Sequence, residues 1–361
     1  MRGLITEWRR RPRAHHLGRI ARRAVAAAIT AIALYIFAPA VLKALGAWPE
    51  VSELRPWWLA GMALTQSASI WCLWRLQAVA IGTEDHWAVA TSQLAGGALG
   101  RIIPGGAATA TAAQYGMFAA ATDDEVRRSS VATGLAMATA LQVAGLCALP
   151  LLALPAIILG LRVDPTFEHT ALLGIAIFAG MALITWAVNR SEPLLRGIGT
   201  TITRVARRLP RVTPPENLPN RLVAMRDDAR ARLGDKLPEA VLATLGRWIF
   251  DFLTLAIAVL AVGGKPSVWL LLLAFFTAQL LGQISITPGG IGVVEAGLTA
   301  ALGIAGLSAS AAAIATLAYR LFNYGLMLPA GFVGWVIHRR RMTLAGRVEY
   351  DPDELFGDRA T

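Results

Sequence analysis

Charge is scarce in this chain. Asp, Glu, Lys and Arg make up 16% of its 361 residues, where soluble domains carry about a quarter. That shortage argues against two or three soluble domains of this combined length. Cysteine is nearly missing too. Cys72 and Cys147 both sit inside apolar runs, so there is no disulfide framework, no metal site and no hint of a redox compartment. No Gly-x-x-x-x-Gly-Lys-Ser/Thr, His-Glu-x-x-His or Gly-x-Ser-x-Gly occurs, so the signatures of an internal ATPase, a zinc protease and a serine hydrolase are lacking. His15 and His16 lie together in a basic tail and read as solvated rather than metal-ligating. No metal and no cofactor are expected.

What is there is apolar. Hydrophobic residues reach 55%, mean hydropathy is +0.53, and the few charges lean basic, at +11. Disorder needs low hydrophobicity, so the chain folds. The composition is that of an all-α polytopic membrane protein.

A span needs about 20 apolar residues. Residues 24–46, 57–81, 129–150, 170–189, 240–262 and 308–337 qualify, which gives six spans. Two further stretches are interrupted. Residues 87–121 are broken by Pro104-Gly105-Gly106, and residues 267–304 by Pro288-Gly289-Gly290 with Gly292 just beyond. Pro removes a backbone donor and Gly costs about 1 kcal/mol in a helix, so each run should split a helix into two halves. In lipid the freed backbone groups must meet protein or a wet cavity. Each stretch is therefore expected to be a re-entrant hairpin.

Basic residues set the orientation. A basic arm, 1–23, precedes a membrane half, 24–189, that holds the first hairpin. The loop 190–238 is rich in Arg and carries two amphipathic stretches, 193–209 and 220–235, suited to a membrane surface. A second membrane half, 239–338, holds the second hairpin, and a tail, 339–361, follows. The positive-inside tendency puts both termini and the 190–238 loop in the cytoplasm of a multi-pass plasma-membrane protein. Ala- and Arg-rich, Lys-poor usage suggests a bacterium. Attraction to anionic lipids explains the basic segments more simply than nucleic acid does.

Ile102-Ile103-Pro104-Gly105-Gly106 aligns with Ile286-Thr287-Pro288-Gly289-Gly290, and the two units would enter from opposite faces. That is the pattern of inverted repeats, whose broken helices meet near the midplane and build a substrate site. Chance recurrence in a Gly- and Ala-rich chain is the alternative.

Pro288-Gly289-Gly290-Ile291-Gly292-Val293-Val294-Glu295 resembles the signature of the lysylphosphatidylglycerol synthase membrane region, the flippase-like integral membrane family. Arg75 after Trp74, the Pro104-Gly105-Gly106 turn, Asp251 after Trp248, and Tyr319-Arg320 followed by Asn323-Tyr324 support it, across about residues 20–340. The resemblance implies the lipid-translocating part of that family. Its larger members add a soluble aminoacyl-transferase domain, which this chain is expected to lack.

Ionisable groups at membrane depth are costly and mark cavities or partners. Glu295 begins a half-helix, where it either binds a cationic group or proton, or caps its own helix and pairs with Arg320. Arg320, beside Tyr319, Asn323 and Tyr324 on what reads as one helix face, is a candidate phosphate contact; the alternative is an ion pair with Glu295 or Asp251. Arg101 contacts phosphate if its loop is deep and snorkels if it is shallow. Arg247 and Asp251, four apart, read as a local exposed pair, though Asp251 could still face a cavity. Arg75 reads as snorkelling. Gln93, Gln114, Gln279 and Gln283 read as interhelical hydrogen-bonding groups, with cavity lining as the other use.

These readings lead to a flippase. An anionic phospholipid or polyprenyl-phosphate head group would cross a midplane cavity with Glu295, Arg320, Arg101, Tyr319, Asn323, Tyr324 and Asp251 around it. The alternatives are a membrane-embedded transferase on a lipid-linked substrate and a non-catalytic cell-envelope scaffold. The implied partners are membrane lipids; a homo-oligomer is compatible with the sequence.

Overall fold

The computed structural model describes residues 54–103, 106–120, 125–153, 165–206, 217–284 and 288–344. The basic arm, the expected span 24–46, Pro104, Gly105 and the tail 345–361 lie outside the described residues. Every regular element among those described is helical. In order they are α1 (Pro56–Ile81), α2 (His86–Ile102), α3 (Gly106–Ala120), α4 (Glu125–Ala148) with a 3-10 extension Leu149–Ala153, α5 (Pro165–Arg190), α6 (Glu192–Ala206), α7 (Leu218–Leu233), α8 (Leu237–Ala261), α9 (Val268–Ile284), a 3-10 turn Pro288–Gly290, α10 (Val293–Ile304), α11 (Ala309–Arg320), a π turn Leu321–Gly325 and α12 (Met327–Leu344).

Helix ends follow local chemistry. Gly82, left-handed at φ 71°, closes α1 by donating to the Ala78 carbonyl at 2.9 Å. The Asp85 side chain accepts from the Ala88 amide at 3.0 Å and starts α2. Ser308 does the same for α11 through Ala311, at 3.3 Å. The described helices end and restart around both Pro-Gly-Gly positions. α2 stops at Ile102 and α3 starts at Gly106; α9 stops at Ile284 and α10 starts only at Val293. Gly289, Gly290 and Gly292 take φ of 59°, 71° and 84°, a region that Cβ-bearing residues avoid.

Among the described residues, three helices are long and apolar enough to cross a membrane: Ser130–Leu151, Leu237–Ala261 and the run Ala309–Met342. The run expected as a single span over 308–337 is not a plain α-helix. At its centre the Leu326 amide donates to Leu321, five residues back, at 3.1 Å. α1 has 26 residues but is less apolar, because its polar side chains bond protein. Thr65 meets Thr254 at 2.8 Å, and Ser69 donates to the Arg247 carbonyl at 2.9 Å.

α1 packs along α8, α2 on both α3 and α12, and α9 on α10. The 3-10 extension of α4 packs against α9. Small residues bring backbones together, as expected where lipid supplies no hydrophobic drive between helices. A Cβ on Gly331 of α12 would lie 2.2 Å from Ala98 of α2. α9 carries the densest core: Leu271 through Phe276 are all buried. Phe275 meets Trp248, Phe252 and Tyr319 edge-on, with centroids 6.3, 5.7 and 6.5 Å apart.

Several basic residues of the described segments lie where α1 ends and α2 and α8 begin. Arg75 near the end of α1 pairs with Glu239 at the start of α8. Arg341 on α12 reaches Asp85 at 3.4 Å, His338 meets Thr91 at 3.1 Å, and α7 packs on α1. Arg75 is thus paired rather than snorkelling.

Candidate functional site at the hairpin tips

Asp251 lies in α8, about 15 Å from one helix end and about 21 Å from the other at 1.5 Å per residue. It is 0% exposed. A buried carboxylate must be paired and fully hydrogen-bonded to persist, and four donors surround it. Oδ2 accepts from Arg247 Nη1 at 2.9 Å and Gln279 Nε2 at 3.0 Å. Oδ1 accepts from the Tyr319 hydroxyl at 3.1 Å and Asn323 Nδ2 at 2.7 Å. The expectation of an exposed local pair is corrected. The i,i+4 bond to Arg247 exists, but the face that carries it is packed against α9 and α11.

Tyr319 is 3% exposed, and its hydroxyl also accepts from Gln279 at 3.0 Å and Asn323 at 3.2 Å. Phe275 holds its ring edge-on. The hub therefore ties α8, α9, α11 and the π turn together. Gln279 is the member that sequence reasoning left among neutral groups; its only signal is a polar side chain in an otherwise apolar helix.

A second cluster sits at the tips. Glu295 Oε2 accepts from the Gly292 amide at 2.6 Å, reaching back over its own helix start. Its Oε1 accepts from Arg320 Nε at 2.8 Å. Arg320 Nη2 donates to the Gly289 carbonyl at 3.0 Å, one of the backbone acceptors that the break leaves without a helical partner. Glu295 thus caps its helix and pairs with Arg320.

Tyr324 joins the end of α2 to the Pro288–Gly290 turn. Its hydroxyl donates to the Arg101 carbonyl at 3.0 Å. Its ring has Arg320 at 4.8 Å and Arg101 at 5.9 Å from the centroid. Arg101 donates through Nη1 to Gly97 O at 2.9 Å and through Nη2 to Asn323 O at 3.2 Å. α2 also touches the Pro288–Gly290 turn directly. The expected shared face of Tyr319, Asn323 and Tyr324 is corrected as well. Tyr319 and Asn323 face Asp251, while Tyr324 faces the tips, because neighbouring positions on a helix diverge by about 100°.

Three guanidiniums meet two carboxylates here. Among the described residues, Arg247 pairs with Asp251 and Arg320 with Glu295, whereas Arg101 bonds carbonyl oxygens alone. The glutamines are interhelical. Gln93 accepts from Trp74 at 2.9 Å, and Gln77 donates to Gln114 at 3.3 Å. Gln283 is exposed. Among the described residues no group of His, Cys, Asp or Glu could hold a metal ion.

Apolar helices arranged around two Pro-Gly-Gly breaks, with an ionisable core held between them, define a membrane-embedded helical protein. The chain belongs to the family described as lysylphosphatidylglycerol synthase TM region, which matches residues 17–331. That membership places it among membrane proteins of lipid or cell-envelope processes. No curated protein matches the chain.

Proposed function

We propose that the protein moves the anionic head group of a phospholipid or polyprenyl phosphate across the membrane between the two hairpin tips. In this reading both hairpins are re-entrant, the chain makes six spans, and the Arg75 end of α1 is cytoplasmic. The carrying observation is the charge imbalance across the Asp251 hub and the tips taken together: Arg101, Arg247 and Arg320 against Asp251 and Glu295. An ionisable group at membrane depth marks a substrate or ion pathway by default; Arg101 is held there by two backbone carbonyls, and its planar guanidinium fork suits a phosphate.

Packing supports an inverted repeat. α1 packs on its counterpart α8, α12 of the second half packs on α2 of the first, and the α4 extension packs on α9. Each half thus lends its last element to the other's hairpin. Transport needs the tips to part, and the Glu295–Arg320 pair together with Tyr324 are the contacts that must open. A phosphate arriving at Arg320 competes with Glu295 for the same donors.

Leaflet exchange of a headgroup-labelled anionic phospholipid in liposomes tests this. The wild-type chain is expected to exceed empty liposomes. Arg320→Ala removes the charge-assisted partner of the phosphate, a contact of about 1.5–3 kcal/mol, so exchange should slow by roughly 10- to 100-fold at equal reconstitution. A wild-type rate equal to that of empty liposomes across lipid classes would sink the proposal.

A further inference from the structure

A cleft of about 410 Å³ lies away from the tips, lined by Trp71, Trp74, Arg75 and His86. It sits between the last turns of α1 and the first turn of α2. We infer that this cleft binds the phosphodiester of a membrane phospholipid, as a loading site on the lateral face; its place in transport rests on the reading above, its occupancy does not.

The lining combines the two chemistries a lipid head group needs. Trp71 is 58% exposed, an indole presented outward with the apolar face and polar edge that suit the membrane interface. Trp74 is oriented: its Nε1 donates to Gln93 Oε1 at 2.9 Å, so its polar edge is spent on α2. Arg75 engages Glu239 through one Nη and keeps further donors of its fork for a second acceptor. That pair holds the guanidinium at the cleft and anchors α1 to α8. His86, exposed at the first turn of α2, supplies a further donor.

One face of α2 links a residue behind the cleft to the tips. Gln93, which fixes Trp74, is followed at intervals of four by Gly97 and Arg101, so the three form one row on α2 about 12 Å long. A Cβ on Gly97 would lie 3.5 Å from both the Gln93 amide nitrogen and Arg101 Nη1. A buried row thus runs along α2 from the residue that fixes Trp74 to Arg101, with Met327 packed over Gly97, 3.6 Å from an added Cβ.

The test is native mass spectrometry of the full-length protein in detergent, titrated with dioctanoyl-phosphatidylglycerol, with inorganic phosphate as competitor. Saturable binding is expected, weakened at least about tenfold in the Trp71→Ala/His86→Ala double variant, whose side chains are exposed and leave packing intact. Arg75→Gln should weaken it similarly if it folds. Leu242→Ala, exposed on α8 and outside the cleft lining, should bind like wild type, which separates this site from adsorption to the apolar surface. Binding unchanged in the double variant overturns the inference. So does inorganic phosphate displacing the lipid at equal concentration, which would mark a site for a soluble anion. Wild-type binding without leaflet exchange would remove the transport reading and leave the cleft as a lipid site.

Discussion

Asp251→Ala is expected to destabilise the protein by about 3–5 kcal/mol, the usual cost of removing one partner of a buried charge pair. Arg247 would lose its counter-charge, and Tyr319, Asn323 and Gln279 would point donors into the space left behind. Unfilled buried donors cost about 1–3 kcal/mol each, so water entering the space sets how much of that sum is felt. Asp251→Asn keeps the volume but turns an amide N–H₂ toward groups that already donate, and an intermediate loss should follow. Thermal midpoints from fluorescence-detected size exclusion in detergent order the three proteins wild type, Asn, Ala. An Ala variant melting with wild type would mean the four bonds contribute nothing to holding α8, α9 and α11 together.

Substitution at Gly289 should have an effect of similar size for a different reason. Its φ of 59° strains any Cβ-bearing residue by about 1–2 kcal/mol. An added Cβ would also lie 2.3 Å from Tyr324 Cε2 and 2.8 Å from its hydroxyl, an overpacking cost of about 1–3 kcal/mol. Gly289→Val is therefore expected to lose about 2–5 kcal/mol and to disturb the link between the tips. Gly292 is the control. Its φ is 84°, but nothing lies within 4 Å of its added Cβ, so Gly292→Ala should show the strain alone. Pairing Gly289→Ala with Tyr324→Ala in a double-mutant cycle should return the steric part and leave the strain. Additive losses would show that Tyr324 does not rest on the turn.

Both predictions concern contacts between distant parts of the chain, and there the sequence was least informative. The positions of the helix breaks were legible, because Pro and Gly act locally through a missing donor and a missing Cβ. The residues of the site were legible too, because ionisable groups are rare in apolar runs and stand out. Glu295's capping role was readable from its place three residues after Gly292. Its partner was not: Arg320 had two carboxylates open to it, and only the packing of α10 on α11 decided for Glu295.

Asp251 shows the limit most clearly. Four residues after Arg247 on a helix, it looked like a surface pair, and spacing along one helix says nothing about what covers that face. α9 and α11 cover it, so the same i,i+4 bond became part of a four-donor hub. The π turn that holds Asn323 and Tyr324 carries no Pro or Gly-Gly signal before it, and the cleft at Trp71 depends on α1 meeting the first turn of α2. By itself the sequence determined an apolar helical chain, broken twice, with a few charges at chosen depths, since hydrophobicity, backbone donors and Cβ sterics are properties of short segments. Only the tertiary structure decided which charges pair, which hydrogen bonds close, and that Tyr324 sits between Arg101 and Arg320, because those depend on which helices lie side by side.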